Sequence, residues 1–417
     1  MTRRILLRVL RFSFLSLMFL VPLPLGHAQV YRVTTLPTLN GGKATRHNPN
    51  VAYAINESGQ VTGVSAGEAV VWTPGSGVQD IGHNSCLGCA PVGGINDLGD
   101  IVGMGDAGGF LWTKSGGMQS LGTSSQPSGV NHSDQITGSF FVGPNQDSHA
   151  FLWSPANPVL QDLGTLGGSF SFAYGINDSG TIVGFSETSG GGESTFLWKE
   201  STGMQPLPAA LFSAFAINNQ EQVAGASSAG AAIWSQAGGI EDLGVLPGTS
   251  GSLAVAISNR GTVVGRSWDT SPGFAFFWSP GQGMVNVNAL CNNKQQNWNA
   301  VGVNSAGQIV LNKEGGKALL LTPVIAVALA SSQNPSQVGE LVTFTAQASS
   351  IAGAPPDGEL ITFLDSNTVL ATVPLSGGTA TFSTAGLAAG KHRISASYPG
   401  DINYAASSSK AVKQVVH

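Results

Sequence analysis

One nine-residue phrase returns along this chain at a nearly constant interval. Ile55-Asn56-Glu57-Ser58-Gly59-Gln60-Val61-Thr62-Gly63 reappears at Ile95-Asn96-Asp97-Leu98-Gly99-Asp100-Ile101-Val102-Gly103 and at Ile176-Asn177-Asp178-Ser179-Gly180-Thr181-Ile182-Val183-Gly184. Weaker copies centre on Asn131, Asn218, Ser258 and Asn304, which makes seven, spaced 40, 35, 46, 41, 40 and 46 residues apart. A repeat of this length is one supersecondary unit that buries its apolar face only against its neighbours, so the period limits the fold to a stacked or circular array.

Each copy reads as a hairpin in which a short alternating strand ends at the Asn, a tight turn follows, and Val/Ile-x-Gly opens the return strand. Asn side chains bond the backbone ahead of them, and the Gly three residues later suits positive φ. Asp134 and Glu221 stand in that glycine's place; Asp tolerates the left-handed region, whereas Glu costs about 1 kcal/mol there. Calcium is not expected, because the spacing lacks the ligand count and distal Glu of a calcium loop.

A third strand in the first six units ends in Trp, at Trp72, Trp112, Trp153, Trp198, Trp234 and Trp278, while Ala318-Leu319-Leu320-Leu321 takes its place in the seventh. A fourth follows a Pro/Gly turn, as in Val159–Gly164 and Ile240–Gly244. Four strands in about 40 residues is the unit of a propeller blade. The seventh unit has no fourth strand, but Val30-Tyr31-Arg32-Val33-Thr34-Thr35-Leu36 at the other end of the chain supplies one. Such pairing leaves no free edge. The expected fold is therefore all-β: a seven-bladed β-propeller over residues 29–323, closed by an N-terminal strand and followed by an Ig-like β-sandwich over 324–417.

The Ile-Asn-x-x-Gly-x-Val-Val-Gly, Phe-Leu-Trp and Asp-Leu-Gly-x-Leu-Gly-Gly segments together resemble the HAF repeats of bacterial extracellular proteins, over roughly residues 30 to 322. That resemblance implies export and a propeller-like fold, and it implies no reaction. Beyond Val324 the composition shifts to alternating Val, Thr, Phe and Ala, with seven candidate strands that suit a sandwich. Gly339-Glu340-Leu341-Val342-Thr343-Phe344-Thr345-Ala346 and Ser397-Tyr398-Pro399-Gly400-Asp401-Ile402-Asn403-Tyr404 are similar to group 3 bacterial Ig-like domains. The similarity implies a stalk or spacer.

Met1-Thr2-Arg3-Arg4, with Arg8 and Arg11, precedes an apolar stretch from Phe12 to Leu25 and the small-x-small pattern Gly26-His27-Ala28. A signal peptide of residues 1–28 is expected, since Pro22 and Pro24 break a stretch already short for a membrane span. Its removal leaves 14 basic and 23 acidic residues, a net of −9. That argues against nucleic acid, whose affinity rests on neutralised phosphates. The chain is expected to be a monomer that does not span the membrane. Cys86 and Cys89 form a C-x-x-C and Cys291 stands alone. In an oxidising compartment a disulfide is the plain reading, either within the C-x-x-C or to Cys291. Neither haem nor zinc is expected, and no cofactor.

In an up-and-down blade, the turns between strands one and two and between three and four lie on one side; the two-to-three loops and the connectors lie on the other. From repeat Asn or Ser to Trp the count is 16, 16, 22, 21, 16 and 20 residues, so nearly all the length variation falls on the second side. Connectors there carry Phe170 and Phe172. Trp268 and Trp298 fall outside the repeat register, beside Arg266, Asp269, Asn297 and Asn299. Aromatics beside polar groups stack on sugar rings, so Trp268, Trp298, Arg266 and Asp269 are the candidate ligand contacts. No His-Glu-x-x-His or repeated carboxylate pair occurs. The expectation is a non-enzymatic secreted or cell-surface adhesion protein that binds an extracellular glycan or surface protein. A propeller enzyme acting on extracellular polysaccharide and a structural matrix or surface-layer component are the alternatives.

Overall fold

The computed structural model describes residues 30–45, 49–82, 93–145, 147–269, 273–291 and 297–417. The expected leader, and Cys86 and Cys89, lie outside them. The described chain is all-β with many small sheets and one short helix, Val287–Leu290, in the connector after unit six.

Every repeat contributes to one small antiparallel sheet. Unit one runs Asn50–Ile55, Val61–Ser65, Glu68–Thr73 and Gly77–Gly82, and units three to six repeat that four-stranded order. Unit two pairs Ile101–Gly105, Gly108–Thr113 and Gly117–Gly122, and among the described residues before them Gly93 and Gly94 bond Val102 while Ile95 bridges Ile101. In unit seven, Trp298–Val303, Ile309–Lys313 and Lys317–Pro323 are joined by Tyr31–Thr35, in a register from Tyr31 against Pro323 to Thr35 against Leu319. The N-terminal strand thus pairs where the sequence places it. Tyr31 anchors it, fully buried, with its hydroxyl donating to the Gly307 carbonyl at 2.9 Å.

The repeat Asn joins neighbouring sheets as well as forming its own turn. Oδ1 of Asn56, Asn96, Asn131, Asn177, Asn218 and Asn304 accepts the N–H four residues ahead at 2.8–3.0 Å. Nδ2 of each donates to the main-chain carbonyl of the next unit's repeat residue: Asn56 to Asn96, Asn96 to Asn131, Asn131 to Asn177, Asn177 to Asn218 and Asn218 to Ser258. These side chains are buried, so satisfying both ends matters. All seven positions three residues after the repeat Asn or Ser have positive φ, including Asp134 at 56° and Glu221 at 57°. Glu221 is held by Lys199 Nζ at 2.7 Å.

A second device recurs in the first strands. Their register shifts at Tyr53, Ser128, Tyr174, Phe215, Val255 and Val301, each three residues before the repeat Asn or Ser. Such bulges bend a strand and re-aim one side chain. Here that side chain leans on the next unit: Ser128 Oγ donates to the Ala173 carbonyl at 2.8 Å, and Tyr174 meets Phe215. The glycine of Val/Ile-x-Gly follows from the same geometry. In units one, three, four, five and six the opposing strand's carbonyl fills the place a Cβ would take, as Phe172 O does at Gly184.

The periodic tryptophans fill the seams. Trp112 packs with Ala69 and Val71 of unit one, Trp198 with Ala150 of unit three, and Trp72 with Val310, Ala318 and Leu320 of unit seven. All are buried except Trp153, which is half-buried.

The C-terminal strands form two facing sheets. One is Ala326–Ser331, Val342–Ser349 and Thr379–Thr384; the other holds Thr368–Pro374, Leu360–Asp365, Gly390–Tyr398, Ser407–Ser408 and Val412–Val416. Phe344, Phe363, Ile361, Ile394 and Tyr398 fill the space between them. Alternation along each strand, as in Val342, Phe344, Ala346 and Ala348, is what turns these residues inward.

Candidate functional site

The C-terminal domain docks on the repeat region's short-turn side. Gln308 Nε2, in the turn of unit seven, donates to the Ile402 carbonyl at 3.0 Å, and Arg260 Nη1, in the turn of unit six, to the Ala354 carbonyl at 3.4 Å. The acids of the repeat turns lie on this side too, engaged with backbone: Asp97 and Asp178 accept the N–H groups of Glu57 and His132 from the preceding units at 2.9 Å. Among the described residues no cluster of metal ligands occurs. Burial, then the nearby Asp134 charge, raise the Asp100 pKa.

The opposite, long-loop side holds three of the four expected contacts, Arg266, Trp268 and Asp269. Arg266 lies over the Trp268 ring at 5.3 Å, with Arg266 and Asp269 exposed and Trp268 half-buried at the end of Val263–Trp268. Trp298 is not on this surface. It opens the first strand of unit seven and alternation turns it inward, 2% exposed, among Val264, Phe277 and Leu311. Exposed Asn297 and Asn299 flank it and, with Lys313 and Glu314, line a cleft of about 530 Å³. Cys291 is buried and has no disulfide partner among the described residues, and burial pushes its thiol pKa up to about 12. At that value it is not a nucleophile at neutral pH.

Unit four carries a ladder of aromatic rings. Phe170, Phe172 and Tyr174 alternate along Gly167–Ile176 and therefore share one face; Phe185 stands opposite Phe172 on the next strand. Ring centroids lie 6.0 Å apart for Phe170 and Phe172, 5.2 Å for Phe172 and Phe185, 5.7 Å for Phe185 and Tyr174, and 5.4 Å for Tyr174 and Phe215 of unit five. None of the five is buried and Tyr174 is 37% exposed, so the ladder is a surface rather than a core. Glu187 continues the same face beyond Phe185, and its Cα partner is Glu193. Phe170 and Phe172, expected in a connector, instead lie within the strand Gly167–Ile176. Their alternation with Tyr174 was the signal that these rings form one face.

Residues 329–417 match the family model of the bacterial Ig-like domain (group 3). Among curated proteins nothing matches the chain. Two solved structures with similarity are the extracellular domains of the putative hybrid two component system BT4673 and of the putative one component system BT4673, both from B. thetaiotaomicron. The first is 9% identical with a TM-score of 0.48, over 93% of this chain and 60% of that one. The second is 8% identical with a TM-score of 0.47, over 94% and 59%. The chain thus spans about three fifths of their length. AofleA from Arthrobotrys oligospora is 10% identical with a TM-score of 0.24, over 86% of this chain and 94% of that one. No helix among the described residues is long and apolar enough to cross a membrane.

Proposed function

We propose that the seven small sheets are the blades of a closed seven-bladed β-propeller spanning residues 29–323, exported by a cleaved leader, and that residues 324–417 are its Ig-like spacer. The protein works outside the cell or on its surface as a non-enzymatic binding module for a glycan. One observation carries this reading: a ladder of five contacting aromatic rings, none of them buried, runs along the first two strands of unit four to Phe215 of unit five. Aromatic faces hold apolar sugar faces at little entropic cost, and loops on a rigid scaffold are where binding concentrates. We include Trp268, Arg266 and Asp269 in the same binding side.

Binding is favoured over hydrolysis of the same glycan by the acids. A glycosidase needs one carboxyl held protonated, yet the carboxyls whose pKa rises, Asp100 and Glu359, lie on the short-turn side and in the C-terminal domain. Glu187, beside the ladder, is held low.

A glycan array probed with the mature protein tests the reading. Capture of a defined set is expected, and Phe170→Ala with Tyr174→Ala should abolish it while thermal unfolding stays within a few degrees. Capture of no glycan, equal capture by the variant, or release of new reducing ends from a bound polysaccharide would each overturn it.

A further inference from the structure

The surroundings of the ladder bear on the kind of glycan. Glu187 accepts the Ser169 N–H at 2.6 Å and the Ser169 hydroxyl at 2.7 Å, and these two bonds hold its carboxyl below the usual range. Glu193 is its cross-strand partner. Glu193 stands two residues before Thr195, the Cα partner of Phe185, so it shares the face of the ladder. Partly exposed π faces and two carboxylates therefore share one surface.

Resting on the glycan-binding reading above, we propose that this surface selects a glycan bearing free amines, such as a chain of unacetylated amino sugars, and rejects acidic polysaccharides. Pyranose rings lie along Phe170, Phe172, Phe185 and Tyr174, and an ammonium group meets Glu187 and Glu193. Ring faces and carboxylates both present negative potential, which attracts a cation and repels a uronate or sulfate. A neutral sugar uses the rings and gains less from the acids. The rings touch one another at 5.2–6.0 Å, so they enclose no cage for a lone lysine head; they offer a continuous run of faces that suits a chain of sugar rings.

Calorimetry on the mature full-length protein tests this with glucosamine oligosaccharides, their N-acetylated counterparts, oligogalacturonides and polylysine. The glucosamine series is expected to bind about tenfold more tightly than the acetylated one at low salt, a gap of about 1.4 kcal/mol that shrinks as salt is added. Glu187→Gln with Glu193→Gln should bring the amine series down to the acetylated affinity. Both side chains lie at the rim of the hairpin, so this variant should keep the fold. Phe170→Ala with Tyr174→Ala should remove both series. Oligogalacturonide binding as tight as that of the amine series, an amine preference that survives the double Gln variant, or polylysine binding that the ladder variant leaves intact would overturn the inference. Failure of the ladder variant to weaken any glycan would overturn the reading beneath it as well.

Discussion

Asn304, in the last repeat, donates from Nδ2 to the main-chain carbonyl of Asn56, in the first, across 3.1 Å. The two residues are 248 apart in sequence, yet the bond is the one that links each repeat to its successor. Trp72 repeats the relationship in apolar form, packing unit one on unit seven. The first strands follow suit, with those of units three to seven in contact in order and that of unit seven beside that of unit one.

One link in this series has no donor. Ser258 stands where the other units carry Asn; its Oγ accepts the Thr262 N–H at 3.2 Å and is too short to reach the next unit. Ser258→Asn should supply the missing bond to the Asn304 carbonyl and raise stability by about 1 kcal/mol, the usual net worth of such a bond. Asn177→Ala should lower it by about 2–3 kcal/mol, because the Asn218 carbonyl and the Thr181 N–H each lose a buried partner. Denaturant melts of both variants check the pair, and equal effects in one direction would contradict it.

What the sequence revealed was mostly local. Positive φ at Asp134 and Glu221 followed from counting three residues past the Asn, and the Tyr31–Thr35 pairing followed from a unit lacking its last strand. Contacts between units were hidden. The receiver of each Asn Nδ2 is a main-chain carbonyl a whole repeat away, which no side-chain pattern marks. Trp298 was misjudged for a related reason: it falls outside the repeat register, but alternation within Trp298–Val303 decides its direction. The ladder depends on rings from two units, Tyr174 and Phe215, brought together at bulges the sequence does not announce.

Gly184 offers a sharper test of those bulges. The Phe172 carbonyl occupies the position of a Cβ there, and it is backbone within a paired strand. Gly184→Ala should therefore cost about 3 kcal/mol or more, well above the ~1 kcal/mol or less of an ordinary surface change. Gly191→Ala, in the open hairpin loop at φ 76°, meets no neighbour and should cost only its backbone strain of about 1 kcal/mol. Thermal unfolding of the two variants side by side decides whether close approach or φ alone matters at Gly184.

Asp100 sets up a pH effect. Burial, then the charge of Asp134, raise its pKa, so the folded state holds that proton more tightly than the unfolded chain does. The cost is absent below the ordinary carboxylate pKa and grows as pH rises through the raised value. In four other units Gln60, Gln135, Gln222 and Gln308 take this place, each accepting from its own repeat Asn. Asp100→Gln should stabilise the protein by about 1 kcal/mol at pH 7 and by much less at pH 4. Melts across that range check it, and a pH-independent difference would contradict it.

His392 gives the opposite slope in the C-terminal domain. Its Nε2 meets the Ala388 carbonyl at 2.9 Å and its Nδ1 meets Asp365 Oδ2 at 2.6 Å, so both ring nitrogens face acceptors and the imidazolium is favoured. The Ala388 carbonyl, then Asp365, raise its pKa. A raised histidine contributes fully below its unfolded value of about 6.5 and loses that contribution as pH climbs through the folded value. Burial alone would raise Asp365, but the His392 hydrogen bond, the Arg393 N–H and the His392 charge bring it below its usual range. Its contribution is therefore present above the ordinary carboxylate pKa and fades as pH falls through the lowered one. The pair supports the domain best between those limits. Unfolding of the full chain should show stability falling from pH 6 to pH 8 by about 1 kcal/mol or less, given partial solvent screening. His392→Gln should flatten that slope, and an unchanged slope would assign the pH dependence to other groups.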